Sequence, residues 1–195
     1  MLGNQQLSIA QCLISTSKLP KFKIVNISCL LNFNIKLDLN YLELFLENAK
    51  LDQSPLNTLI VKINEVTILL FKSGKAIISG AKKKKQAYEA ALILVENLKN
   101  SHYKNAKLKL FKVTNLVIST HLGCGIDVER FYDNNKKNSS YEIELFPGLI
   151  FKEYKKISAT IFRRGSFFVT GFSNFRLARK YIISLYERLL KFAIK

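Results

Sequence analysis

Bond-making chemistry would have to be assembled from very few residues in this chain of 195, which holds two histidines and three cysteines. His121 and Cys124 form one H-x-x-C pair, but a structural zinc site takes four ligands and no second pair completes it. With two histidines, no Ser/His/Asp or Cys/His nucleophile set can be put together convincingly. No Gly-rich motif that would cradle a phosphate is present. Glu142 and Glu144 lie on one short segment, a poor arrangement for an acid/base carboxylate pair. The sequence therefore predicts no enzyme, no cofactor and no metal. What recurs instead is Asn, Ser and Thr beside Phe in β-type alternation. The background is 31 Lys+Arg against 14 Asp+Glu, a formal charge of +17. Such an excess suits a polyanionic partner, either nucleic acid or an anionic membrane surface. No apolar run approaches the ~18–20 residues that span a bilayer, so a membrane is the weaker choice. The apolar stretch at 7–14 is broken by Gln11 and Cys12 and follows no basic residue, which predicts no export. The odd, widely spaced cysteines 12, 29 and 124 fit a reducing compartment.

The elements that position these residues come in duplicate. Phe22-Lys23-Ile24-Val25-Asn26-Ile27 returns as Phe111-Lys112-Val113-Thr114-Asn115-Leu116, and Asp38 as Asp127. Leu69-Leu70-Phe71-Lys72-Ser73-Gly74 returns as Thr160-Ile161-Phe162-Arg163-Arg164-Gly165, Ser79-Gly80 as Thr170-Gly171, and Ala87 as Ala178. A nearly constant offset along the chain defines two copies of a ~90-residue unit, placed at 21–109 and 110–195 after a divergent segment at 1–20. In each copy a β-rich run precedes an Asp N-cap, Asp38 heading a helix with Leu42, Phe45 and Leu46. Two apolar runs flank Asn64-Glu65 at hairpin spacing. Ser73-Gly74 turns the chain into another strand. A long helix follows, carrying Ala87, Ala90, Ala91, Leu94, Val95 and Leu98 on one face. The second copy closes likewise with Ala178, Tyr181, Ile182, Leu185 and Leu189. The expected class is α+β, one large antiparallel sheet with helices on one face.

Period-2 alternation then selects the side chains of the uncovered face. Thr67, Leu69 and Phe71 share a face, as do Ser158, Thr160 and Phe162; Ile77 and Ser79 match Phe168 and Thr170; Asn26 and Ser28 match Asn115 and Val117. Exposed aromatics beside hydrogen-bonding Asn and Thr suit the DNA minor groove, whose readable edge is nearly uniform acceptors and whose base steps admit apolar wedges.

The chain resembles the TATA-box-binding proteins over about residues 22–192. The resemblance is carried by Lys36-Leu37-Asp38-Leu39, by Phe71-Lys72-Ser73-Gly74-Lys75 followed by Ser79-Gly80-Ala81-Lys82, and above all by Ser140-Tyr141-Glu142-Ile143-Glu144-Leu145-Phe146-Pro147-Gly148-Leu149-Ile150-Phe151. It implies a pseudo-twofold saddle whose concave sheet lies on the minor groove of an A·T-rich element, with helices on the convex face. By that resemblance Leu56 and Phe71 in the first repeat, and Phe146 and Phe162 in the second, are the wedges. Asn26 and Asn115 are the central base-edge pair, with Ser79 and Thr170 flanking. Ser28, Leu69, Ile77, Val117, Thr160 and Phe168 line the groove floor, and Pro147 packs beside its wedge. Lys62, Lys75, Lys152 and Lys156 are the phosphate contacts. Glu142, Glu144 and Leu145 resemble the stirrup that contacts a factor IIB-like protein. Lys82, Lys83, Lys84 and Lys85 open a convex-side helix where partners dock, a factor IIA-like protein being a further expected partner. The implied protein is a nuclear general transcription initiation factor that bends promoter DNA and recruits general factors and RNA polymerase. It would act as a monomer on DNA, with self-association when free. A virus-encoded member would work in its host compartment.

Several positions depart from the family. Leu56 replaces Phe, Ser28 and Thr160 replace apolar residues, Phe168 replaces Val, Ser166 replaces Lys, and Asn64-Glu65 is a shorter, more acidic turn. These changes predict weaker or more partner-dependent DNA binding. One competing reading is a divergent member acting mainly through protein partners. Two others are an accessory domain of a nucleic-acid enzyme and a single-strand or RNA-binding sheet. The doubled unit without catalytic residues argues against the former, and the strand-end position of the wedges against the latter.

Overall fold

A computed structural model of the chain describes residues 20–52, 54–55 and 57–194. These divide into two compact units, Ile24–Asn115 and one built on residues 116–194. The first unit contains β1 (Lys23–Asn32), α1 (Leu39–Phe45), β2 (Ala49–Asp52), β3 (Thr58–Ile63), β4 (Val66–Phe71), β5 (Lys75–Ala81) and α2 (Lys84–Asn100). Its strands are antiparallel in the order β2-β3-β4-β5-β1. β6 (Leu110–His121) begins within this unit and ends in the next. The second unit continues with β7 (Gly125–Ile126), α3 (Val128–Asn134), β8 (Ser139–Ser140), β9 (Gly148–Tyr154), β10 (Ile157–Phe162), β11 (Ser166–Phe172), α4 (Phe175–Leu190) and β12 (Ala193–Ile194). Its sheet runs β6-β11-β10-β9-β8, again antiparallel, with β12 pairing β7 apart.

The same local chemistry builds both units. Asp38 Oδ1 accepts from the Asn40 and Tyr41 amides (3.0 and 3.2 Å), and Asp127 Oδ1 accepts from the Arg130 amide (3.0 Å). The two repeated aspartates thus cap α1 and α3. Gly74 and Gly165 take positive φ (77° and 92°), and a Cβ there would collide with the Ile35 and Cys124 carbonyls. Only glycine fits both turns. Asn64 enters the β3–β4 hairpin at φ 53°, a conformation asparagine tolerates.

Alternation sends Ile27, Cys29, Leu31, Ile68, Leu70 and Ile78 inward, against the predicted stripe Ala87, Ala90, Ala91, Leu94, Val95 and Leu98 of α2, all buried. In the second unit Leu116, Ile118, Ala159, Ile161, Phe167 and Val169 meet Ala178, Ile182, Leu185 and Leu189 of α4. Each unit is therefore a sheet with helices on one face, the expected α+β class.

Three details differ from expectation. Of the three apolar residues expected on this helix, Leu42 is buried and Phe45 is exposed, because the helix ends there and Leu46, already extended, is the buried one. Tyr186 joins the α4 core while Tyr181 stays half-buried. The lysine run straddles the helix start: Lys83 is the N-cap of α2, without a side-chain cap bond, and Lys82 precedes it.

Candidate nucleic-acid interface

On the face opposite the helices, each strand shows its second set of side chains. Asn26, Ser28, Thr67, Leu69, Phe71 and Ser79 are half-buried and Ile77 exposed in the first unit; Val117, Ser158, Thr160, Phe162, Phe168 and Thr170 are half-buried in the second, with Asn115 the half-buried residue preceding it. No described helix packs over them within their units. Asn26 is oriented by its own backbone surroundings: its Oδ1 accepts from the Gly80 amide at 2.7 Å, and its Nδ2 lies 3.4 Å from Ser79 Oγ. With the carbonyl end fixed and one N–H turned to Ser79, the amide keeps a second N–H with which it can donate to an acceptor on a ligand.

The candidate wedges stand at strand ends. Phe71 closes β4 opposite Thr58, and Phe162 closes β10 opposite Gly148. Phe146, in the turn before β9, is 43% exposed. Its ring meets Phe162 edge-on at 5.9 Å, and Phe162 meets Phe168 edge-on at 6.0 Å. Gly148 makes room for this stack, since a Cβ there would lie 2.6 Å from the Phe146 ring and 3.0 Å from the Phe162 ring. Pro147 is exposed. Leu56 falls outside the described residues.

Lys62, Lys75 and Lys152 are exposed on the same faces, in register with the open-face sets of β3, β5 and β9. Lys156 instead occupies the β9–β10 turn. Ser166 stands at the start of β11 as Lys75 does in β5, so the second unit lacks that cation. Sequence reasoning missed Leu30, Ile60, Ser119 and Ile150, which share these faces; extending the alternation by one more step finds all four.

Glu142, Glu144 and Leu145 lie in an exposed turn, closed by Leu145 and Phe146 amides donating to the Glu142 carbonyl. Leu145 is 82% and Ile143 58% exposed. Lys82, Lys83, Lys84 and Lys85 are exposed on the helical side of the first unit; Lys82 pairs with Glu65 and Lys85 with Glu89, each at 3.6 Å. His121 Nδ1 accepts from the Gly123 amide at 2.8 Å. Among the described residues no group of three or more His, Cys, Asp or Glu comes together. No described helix is long and apolar enough to cross a membrane.

The family model described as "Transcription factor TFIID (or TATA-binding protein, TBP)" matches residues 21–101 and again 110–192. The chain belongs to the TATA-binding protein family. It is 30% identical to the TATA-box-binding protein of Pyrodictium occultum, over 88% of this chain and 87% of that one. It is 32% identical to that of Tetrahymena thermophila and 34% to that of Emericella nidulans, but spans 61% and 55% of their lengths. The solved structure "Methanococcus jannaschii TBP" is similar with a TM-score of 0.75 and 25% identity, over 88% of this chain and 99% of that one. TATA-binding proteins are DNA-binding transcription factors, not enzymes.

Proposed function

We propose that the chain is a general transcription initiation factor that binds the minor groove of A·T-rich promoter DNA through the open sheet face of each repeat, and bends it. The reading rests on one observation: within each repeat, Asn or hydroxyl side chains share an uncovered face with a strand-end phenylalanine, Phe71 in the first and Phe162, beside Phe146, in the second. Asn26 and Asn115 donate to the N3 and O2 acceptors of A·T pairs, Ser79 and Thr170 flank them, and the apolar residues cover the groove floor. Leu56, Phe71, Phe146 and Phe162 enter base steps, the unstacking cost being offset by apolar contact and counterion release. Lys62, Lys75, Lys152 and Lys156 hold phosphates.

The exposed 141–145 turn supports a protein-facing role for Glu142, Glu144 and Leu145 toward a factor IIB-like partner. The lysines 82–85 present a second surface to a factor IIA-like or regulatory partner. In a eukaryote such a factor would work in the nucleus, and a virus-encoded one in its host compartment. The substitutions at Leu56, Ser28, Thr160 and Ser166 favour a second reading, in which DNA binding is weak and the protein acts mainly through those partners. Gel shifts with circularly permuted A·T-rich duplexes decide between them. Phe146→Ala and Phe162→Ala are expected to lose affinity and bending; unchanged affinity and bending in both would remove the wedge mechanism. Binding to a factor IIB-like protein that far exceeds binding to DNA would favour the second reading.

A further inference from the structure

The two open faces carry equivalent cross-strand rows of different chemistry. In the first unit the directly opposed residues run Leu30–Ile77–Leu69–Ile60. In the second the same row runs Ser119–Phe168–Thr160–Ile150. One row is aliphatic throughout. The other sets a hydroxyl on each side of a ring, and among the described residues no hydrogen bond engages either hydroxyl. Neither row crosses the register shifts of β1–β5, β9–β10 or β6–β11.

We infer that the two repeats read base pairs unequally: the first admits only A·T pairs beneath its row, and the second tolerates G·C through Ser119 and Thr160. This rests on the minor-groove reading above. In that groove A·T and T·A present acceptors alone, and G·C adds the guanine N2 amine, a donor. An aliphatic row pressed on that amine strips its water and returns no partner, which is penalised. A hydroxyl carries one donor and two acceptor lone pairs, so it accepts from the amine or donates to N3 and O2. Phe168 covers the flank of both hydroxyls with apolar surface and packs edge-on to Phe162, which strengthens the hydrogen bonds they make.

The test titrates the full chain against A·T-rich duplexes in which each pair in turn becomes G·C or inosine·C, the latter lacking the N2 amine. Where the first repeat sits, G·C is expected to lower affinity by roughly 5- to 100-fold, and inosine·C to restore it. Where the second sits, the loss is expected to be slight. Thr160→Val raises the G·C loss in the tolerant half relative to the same variant's A·T and inosine·C affinities. Leu69→Thr relieves the loss in the other half. Both sites face away from the core, and circular dichroism melts verify folding. Duplexes that bind with equal G·C losses in both halves, or with losses that neither variant moves, overturn the inference alone. Failure to bind any duplex at low salt overturns the groove reading and the inference together.

Discussion

Gly148 shows how much one missing side chain can decide. Phe146, Phe162 and Thr160 close over it, the last with its Cγ2 at 2.9 Å from a would-be Cβ. Gly148→Ala is expected to displace the outer ring, because Phe146 is the neighbour freest to move. Bending in a permutation assay should fall, while stability drops by about 1–3 kcal/mol. Unaltered bending would show that the ring positions are irrelevant. A second residue-scale effect concerns pH. Burial pushes the Cys29 thiol up to about 11 and the Tyr181 phenol up to about 12. Both are acids whose folded values exceed the unfolded ones, near 9.0 and 10.0. Their contribution is therefore present below pH 9 and is lost as pH climbs toward 12. Urea midpoints should be flat from pH 7 to 9 and fall beyond, with Tyr181→Phe removing the upper part of the fall. A thiol held this high also leaves Cys29 unreactive toward alkylating reagents in the native protein at pH 8.

At the scale of elements, the helix caps and one clamp carry the testable energetics. Asp38→Ala and Asp127→Ala should each cost about 1 kcal/mol, while Asn at either position should cost little; denaturant midpoints measure the difference. Glu153 on β9 accepts two bonds from Arg188 on α4, both at 2.9 Å, and the guanidinium lies 5.3 Å from the Phe151 ring. Arg188→Ala should cost about 1–2 kcal/mol, discounted for partial exposure. This clamp could not be read from the sequence, because Glu153 and Arg188 are brought together only by the packing of α4 on its sheet. The α2 stripe was legible, since a helix of 17 residues repeats its period several times. The seven-residue α1 was legible in its cap and not in the direction of Phe45, because so short a helix leaves the chain's exit to choose the inward residue.

For the whole molecule, the charge of +17 becomes a salt effect. If Lys62, Lys75, Lys152 and Lys156 each neutralise one phosphate, the slope of log K against log salt is roughly −3.6 or steeper. Lys75→Ala should flatten it by roughly 0.9, with equal loss on every sequence; a sequence-dependent loss would mean that Lys75 reads bases. Ser166→Lys should steepen the slope by a similar amount, since it restores in the second repeat the cation that β5 has in the first.

Duplication, fold class and the composition of the open faces were determined by the sequence itself. Repeated Asp and Gly positions are requirements of helix capping and turn conformation, and strand alternation follows from the geometry of one chain. What tertiary structure alone decided is pairing: which open-face residue stands opposite which, and so that Leu30–Ile77–Leu69–Ile60 answers to Ser119–Phe168–Thr160–Ile150. Alternation assigns a side chain to a face, but register along the ladder depends on turns and bulges shared between strands, and no single strand's sequence contains that information.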